Sequence, residues 1–181
     1  MGQPIGRSSE ETLLTILNQA ESLFADGGYE GTSIRDIAAR AGVQAAVIGY
    51  HFGSKVDLFD TVVSRRLGVL NGQRAQALSE ALAVRRGRPL ALEVLVPAYV
   101  KPFVDANSCG EPGWRNFATL IGRLANSPRG VDVIEPHADG IARSYLSEFA
   151  RTMPDLPQPS LIDGFLYMVA AVLFVSAGTG R

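Results

Sequence analysis

The chain contains one cysteine, two histidines and one tryptophan in 181 residues. With Cys109 alone no intrachain disulfide can form, so apolar packing must hold the fold. His51 and His137 are far apart and have no cysteine at ligand spacing beside them, so neither a metal nor another cofactor is expected. Catalysis needs a convergent acid, base, nucleophile or metal set, and these residues do not supply one; the chain is not expected to be an enzyme. Charge of one sign is also missing. Seventeen basic and eighteen acidic residues give a net charge of -1, which offers no bulk attraction to a polyanion. The N-terminus lacks the apolar stretch and cleavage site of a secretory signal. The longest apolar run, Phe165 to Ala177, is broken only by Ser176 and falls short of the ~20 residues a bilayer core requires. A cytoplasmic protein with no membrane partner follows.

What is present is an ordinary globular composition, 46% hydrophobic and 19% charged, with helical rather than strand patterning. Leu13, Leu17, Ala20 and Phe24 space a helix over Glu10 to Ala25, with Ser8 and Glu11 as a capping box and Gly27-Gly28 as its stop. Thr32-Ser33 offers a hydroxyl cap to a second, short helix in which Ile34, Ile37, Ala38 and Ala41 recur at helical spacing. Gly42 ends it and allows a sharp corner before a third helix from about Gln44 to Phe52. Ser54 with Asp57 caps a fourth, which continues past Leu67 and Arg74 to Leu82, until Arg85-Arg86-Gly87-Arg88-Pro89 breaks the pattern. Further helices are predicted over Leu90 to Asp105, Pro112 to Ala125, Arg129 to Glu135, Pro136 to Met153 and Ser160 to Ala177. Pro97 and Pro102 predict a kinked or shortened Leu90 helix. The fold class is therefore all-α, with a head over residues 1–67 and a helical-bundle body over residues 68–181.

The unit from Thr32 to Lys55 carries the functional signal. Two short helices meeting at a glycine corner form a helix-turn-helix, in which the second helix presents its first residues to base edges in the major groove. Gln44 can pair bidentately with an adenine edge, Ala45 and Ala46 are small enough to touch a thymine methyl, and Arg35 can reach a guanine or a phosphate. Thr32, Ser33, Tyr50, His51 and Lys55 complete the candidate DNA-binding set. Lys55 adds its charge to the free amides of the fourth helix's first turn. Ile34, Ile37, Val43, Val47, Ile48 and Phe52 are assigned to the core. Bulk charge does not help this reading, since residues 1–67 hold six basic side chains, Arg7 included, against eight acids.

At these residues the sequence resembles the TetR family of regulators. The likeness runs through Ala20, Leu23-Phe24, Gly28-Tyr29 and Thr32, then Ile37 to Val43, then Tyr50 to Lys55. It implies a homodimer of nine or ten helices per subunit, usually a repressor released from an inverted-repeat operator when a small molecule enters the C-terminal domain. Gly49 departs from the family, which commonly places an aromatic or polar side chain there, and Arg181 falls where relatives often continue.

In the body, bundle interiors are common ligand sites. Tyr99, Phe103, Trp114, Asn116, Phe117, Leu120, Arg123, His137, Tyr145, Phe165 and Met168 are the candidate lining of a pocket for an apolar or amphiphilic effector. The last helix is apolar nearly all round and needs a partner on a second face, which the resemblance assigns to the dimer. The competing reading is a small-molecule-binding or oligomerisation module whose helix-turn-helix does not read specific DNA.

Overall fold

A computed structural model describes residues 8–85, 87–125, 127 and 129–178. Arg7, Arg86 and Arg181 lie outside the described residues. Among the described residues there are eight helices and no strand: α1 (Ser9–Gly27), α2 (Ile34–Ala41), α3 (Ala45–Phe52), α4 (Lys55–Val84), α5 (Leu92–Ser108), α6 (Pro112–Ala125), α7 (Arg129–Thr152) and α8 (Gln158–Gly178). The chain divides into two compact units, Met1–Val63 and Ser64–Arg181.

In the first unit the helix starts are set by side-chain caps. The Glu11 N–H donates to Ser8 Oγ at 3.1 Å and the Ser8 N–H to Glu11 Oε2 at 2.9 Å. At α2 the cap is Ser33 with Asp36, and at α4 it is Ser54 with Asp57; in both, the serine hydroxyl donates to the aspartate at 2.6 Å while the aspartate N–H donates back at 3.2 Å. Each pair satisfies two amides that a helix start leaves without partners. Gly42 closes α2 in the left-handed region at φ 70°, ψ 36°, and Val43 N–H reaches back to Ala38 O at 3.0 Å. A side chain at Gly42 would strain that turn. The core beneath it joins Ile16, Ala20 and Phe24 of α1, Ile37, Ala38 and Ala41 of α2, Ile48 of α3 and Leu58, Phe59, Val62 and Val63 of α4. Phe24 and Tyr29 both set their rings edge-on to Phe59, at 4.8 and 4.9 Å. Of the positions assigned to the core, Ile37 and Ile48 are buried, while Ile34, Val43, Val47 and Phe52 are half-buried at its rim.

The second unit is a bundle whose core gathers Leu78, Leu90, Leu95, Tyr99, Tyr145, Phe149, Leu161 and Phe165. Tyr99 packs edge-on against Tyr145 and Phe165, with centroids 5.0 and 4.9 Å away. Two proline expectations are corrected. Pro136 does not divide the chain into two helices, because its fixed φ suits a helix and it removes only the bond to Asp132 O, so α7 runs through it. Likewise α5 is not shortened by Pro97 and Pro102 and extends to Ser108. Pro97 is exposed, so water can reach the carbonyl it frees. The α8 helix is also longer than its apolar run suggests. Gln158–Ser176, with mean hydropathy 1.7, is long and apolar enough by length and composition to cross a membrane. Its Leu161 and Phe165 are buried, and it packs on α5, α6 and α7. Leu166, Tyr167, Phe174 and Val175 are exposed.

Two alanine substitutions in the first unit should move stability in opposite directions. A Cβ at Gly31 would lie 2.4 Å from Gly27 O, so Gly31→Ala should cost about 1–3 kcal/mol. A Cβ at Gly49 meets nothing within 4 Å, so Gly49→Ala should gain about 1 kcal/mol of helix propensity. Urea denaturation of both variants checks this. A pH effect follows from the caps. The Ser33 and Ser54 hydroxyls, and then the serine backbone N–H groups, hold the Asp36 and Asp57 carboxyls below the usual aspartate range. Depressed folded values contribute stability that is fully present above the unfolded value of about 4 and lost as pH falls through the folded ones. The double variant Ser33→Ala, Ser54→Ala should therefore lose less of its melting temperature than the parent between about pH 6 and pH 3.

Candidate nucleic-acid interface and internal cavity

The α3 helix buries one side and leaves the other open. Ile48 is 1% exposed, whereas Ala45, Ala46, Gly49, Tyr50 and His51 are exposed. No side chain over Ala45, Ala46 and Gly49 is taller than a methyl, so a groove surface could approach the helix backbone closely. Gln44 stands at the N-cap with its side chain in no capping bond, which leaves both the donor and the acceptor of its carboxamide available. At the other end Tyr50, 84% exposed, meets the His51 ring edge-on at 4.9 Å. Ser33 and Arg35 are exposed at the start of α2, and Lys55 opens α4, its ammonium held 4.1 Å over the Tyr29 ring. That cation–π contact orients a charge at a helix start where backbone amides already favour an anion.

Thr32 is the exception in this set. Its side chain is 3% exposed, and its hydroxyl proton is shared between Leu23 O at 3.0 Å and Gly28 O at 2.9 Å. The hydroxyl ties the chain entering α2 back to the end of α1; it is not a surface donor, and Ser33 supplies the cap. The same local view accounts for the acidic total of this segment. Glu11, Asp36 and Asp57 are spent on helix starts, and Glu21 is 1% exposed.

The second unit holds a partly open cavity of about 190 Å³ among α4, α5, α6, α7 and α8. Of the eleven candidate lining residues it brings together three, Tyr99, Phe103 and Phe117. The others lie elsewhere. Trp114 faces a separate surface groove with Pro97, Pro102 and Cys109, while Phe165 and Met168 line a third recess with Phe149 and Leu161. Leu120 and Tyr145 are core, Asn116 is half-buried, and Arg123 is exposed on an open cleft. His137 contributes its carbonyl, which accepts from Asn71 Nδ2 at 2.6 Å. Among the described residues no group of three His, Cys, Asp or Glu could hold a metal.

The charged residue among those the sequence reading missed is Arg74, which is 9% exposed on the cavity wall. Its Nε donates to Tyr99 O at 3.0 Å, its Nη1 to Asn71 Oδ1 at 3.4 Å, and its plane lies 3.9 Å over the Tyr99 ring. Burial lowers its pKa below the usual guanidinium range and raises that of Tyr99. The Tyr145 phenol, pushed up to about 12 by burial, donates to Arg74 O at 2.9 Å. A signal for Arg74 did exist in the sequence. It interrupts the apolar stripe Leu67, Leu70, Leu78 at helical spacing, where a surface arginine does not belong.

Comparison with known proteins finds relatives for both segments. Residues 16–62 match the family described as bacterial regulatory proteins, tetR family, and residues 97–181 match the tetracyclin repressor-like C-terminal domain. Over 96 residues the chain is 38% identical to the HTH-type transcriptional repressor Rv3405c of Mycobacterium tuberculosis, covering 51% of this chain and 50% of the relative. It is 35% identical over 79 residues to the HTH-type transcriptional repressor KstR2 of Mycolicibacterium smegmatis, covering 44% and 36%. The chain thus spans about half the length, or less, of these curated relatives. The solved ketosteroid transcriptional regulator KstR2 of Mycobacterium tuberculosis shares its fold, with a TM-score of 0.67 over 99% of this chain and 87% of that one at 20% identity. With its head and its body each matched to the corresponding part of one family, the chain belongs to the TetR family of bacterial transcriptional regulators.

Proposed function

We propose that the protein is a sequence-specific DNA-binding regulator: a ligand-responsive repressor that binds an inverted-repeat operator as a homodimer in the cytoplasm and catalyses no reaction. The observation that carries this reading is the open face of α3, where an uncommitted Gln44 carboxamide adjoins a stripe of alanine and glycine flanked by Tyr50 and His51. In this reading residues 1–67 contact DNA, with Gln44, Ala45 and Ala46 at base edges and Ser33, Arg35, Tyr50, His51 and Lys55 on the sugar-phosphate backbone. Residues 68–181 bind an apolar or amphiphilic effector and dimerise. The relatives' names as repressors support the sign of regulation. Release by an effector requires that it bind the DNA-free arrangement more tightly than the DNA-bound one. The exposed apolar side chains of α8 are the proposed dimer surface.

Selection from a random duplex pool at near-physiological salt should enrich an inverted repeat. Failure to enrich any sequence with folded protein would overturn specific recognition and leave a binding module. On the recovered operator, Gln44→Ala should cost about 1–3 kcal/mol at one base position, while Lys55→Ala should weaken all sequences alike and lower the salt slope by about 1. Uniform effects from both would contradict the role given to Gln44. For the dimer, the double variant Leu166→Asp, Phe174→Asp should sediment as a folded monomer, and an unchanged mass would place the interface elsewhere.

A further inference from the structure

Among the described residues, the two buried charges of the second unit, Glu148 and Arg74, are treated differently. Glu148, 8% exposed, is met by Arg85 at 2.5 Å and by Arg151 at 3.7 Å. Arg74 is as deeply buried, yet among the described residues no carboxylate pairs with it. A guanidinium carries five N–H donors. Two of these reach neutral acceptors, the Tyr99 carbonyl and the Asn71 carboxamide. The remaining three have no acceptor among the described residues. A buried cation without a counter-charge is costly unless something completes it, and here the unspent charge borders a cavity whose other lining side chains, Tyr99 apart, are hydrocarbon, including Leu70, Phe103, Phe117 and Leu173.

We infer that this cavity takes a small monocarboxylic acid with an apolar body, its carboxylate paired with Arg74 and its hydrocarbon set against Phe103, Phe117 and Leu173. The inference rests on the effector role proposed above and names the chemical class of that effector. A planar guanidinium accepts a carboxylate on two parallel hydrogen bonds. One positive charge matches one negative charge, whereas a phosphate monoester brings ≈ −1.5 to −2 into a site whose described lining holds no second cation to meet it. The volume of about 190 Å³ lies under the ~300–1,000 Å³ of sites for drug-sized ligands, which restricts the occupant to a compact acid. Arg74 is already held by its hydrogen bonds to Tyr99 O and Asn71 Oδ1 and by its contact with the Tyr99 ring, so little side-chain freedom is lost on binding.

Calorimetric titration of the full chain at pH 7 with phenylacetate and hexanoate, and with their neutral amides phenylacetamide and hexanamide, tests the inference. At least one acid should bind 10-fold or more tightly than its own amide. Arg74→Met should abolish that preference, bringing each acid to within about 2-fold of its own amide, and Arg74→Lys should keep part of it. If Arg74→Met does not fold, Ala138→Phe, which fills the cavity with Arg74 intact, should abolish acid binding; retained binding overturns the site. Equal affinity for acid and amide, an acid preference that survives Arg74→Met, or no binding by either acid also overturns it. Operator binding is measured separately, without acid. A chain that discriminates acids but selects no operator refutes the regulator reading alone, and one that selects an operator but discriminates no acid refutes this inference alone.

Discussion

An isolated helix of eight residues does not hold itself together in water, because two turns return too few hydrogen bonds for the cost of nucleation. Both α2 and α3 have this length. Their persistence therefore depends on what fixes their ends and on what lies beneath them. The Ser33–Asp36 cap and the Gly42 turn settle the ends of α2. Ile37 and Ile48, each within 1% of full burial, anchor the two helices to one core. Since α3 can bury only that one side, its outer side is free of structural duties, and the exposed Gln44, Ala45, Ala46 and Tyr50 follow from this constraint. Thr32 serves the same end from the other direction, spending its hydroxyl on α1 so that α2 starts in a defined place.

Local signals of this kind can be read in a sequence because their physics is local. A serine three residues before an acid, a glycine after an apolar run and a period near 3.6 each act within a turn or two, and the starts of α1, α2, α3 and α4 follow them closely. Proline misled where its effect depended on surroundings. Pro136, Pro97 and Pro102 each remove a single bond, and whether a helix survives that loss is decided by packing along its whole length. Thr32 was misassigned for a related reason, as its partner Leu23 lies nine residues away and no spacing rule announces the contact.

The interior of the body was the least legible part. Aromatic content marks residues that want burial, but it cannot separate those that fill a core from those that border a void. Tyr145 and Phe117 are equally buried, and only Phe117 faces the cavity. That distinction arises from how five helices meet, a property of no single segment. Arg74 was legible in principle, since an arginine on an apolar stripe conflicts with its neighbours, and such conflicts between local pattern and side chain tend to fall at functional sites.

The outer face of α8 raises a question that composition cannot answer, because a lipid-facing helix and a helix that meets a second protein surface look alike by hydropathy. Their neighbours differ. A helix in hydrocarbon must be flanked by elements that are apolar outward as well, since an exposed arginine at the bilayer centre is expensive. Yet α8 packs on α6 and α7. Arg115 and Arg123 of α6 and Arg143, Ser144 and Ser147 of α7 are exposed, so the helices that support α8 carry charge and hydroxyls into the surrounding medium. Asp163 is exposed on α8 itself, three residues before Leu166. Arg123 shares an open cleft with Phe174, so at least one edge of the apolar strip is charged, and such an edge suits the protein partner proposed above, because association surfaces pair an apolar centre with a polar rim.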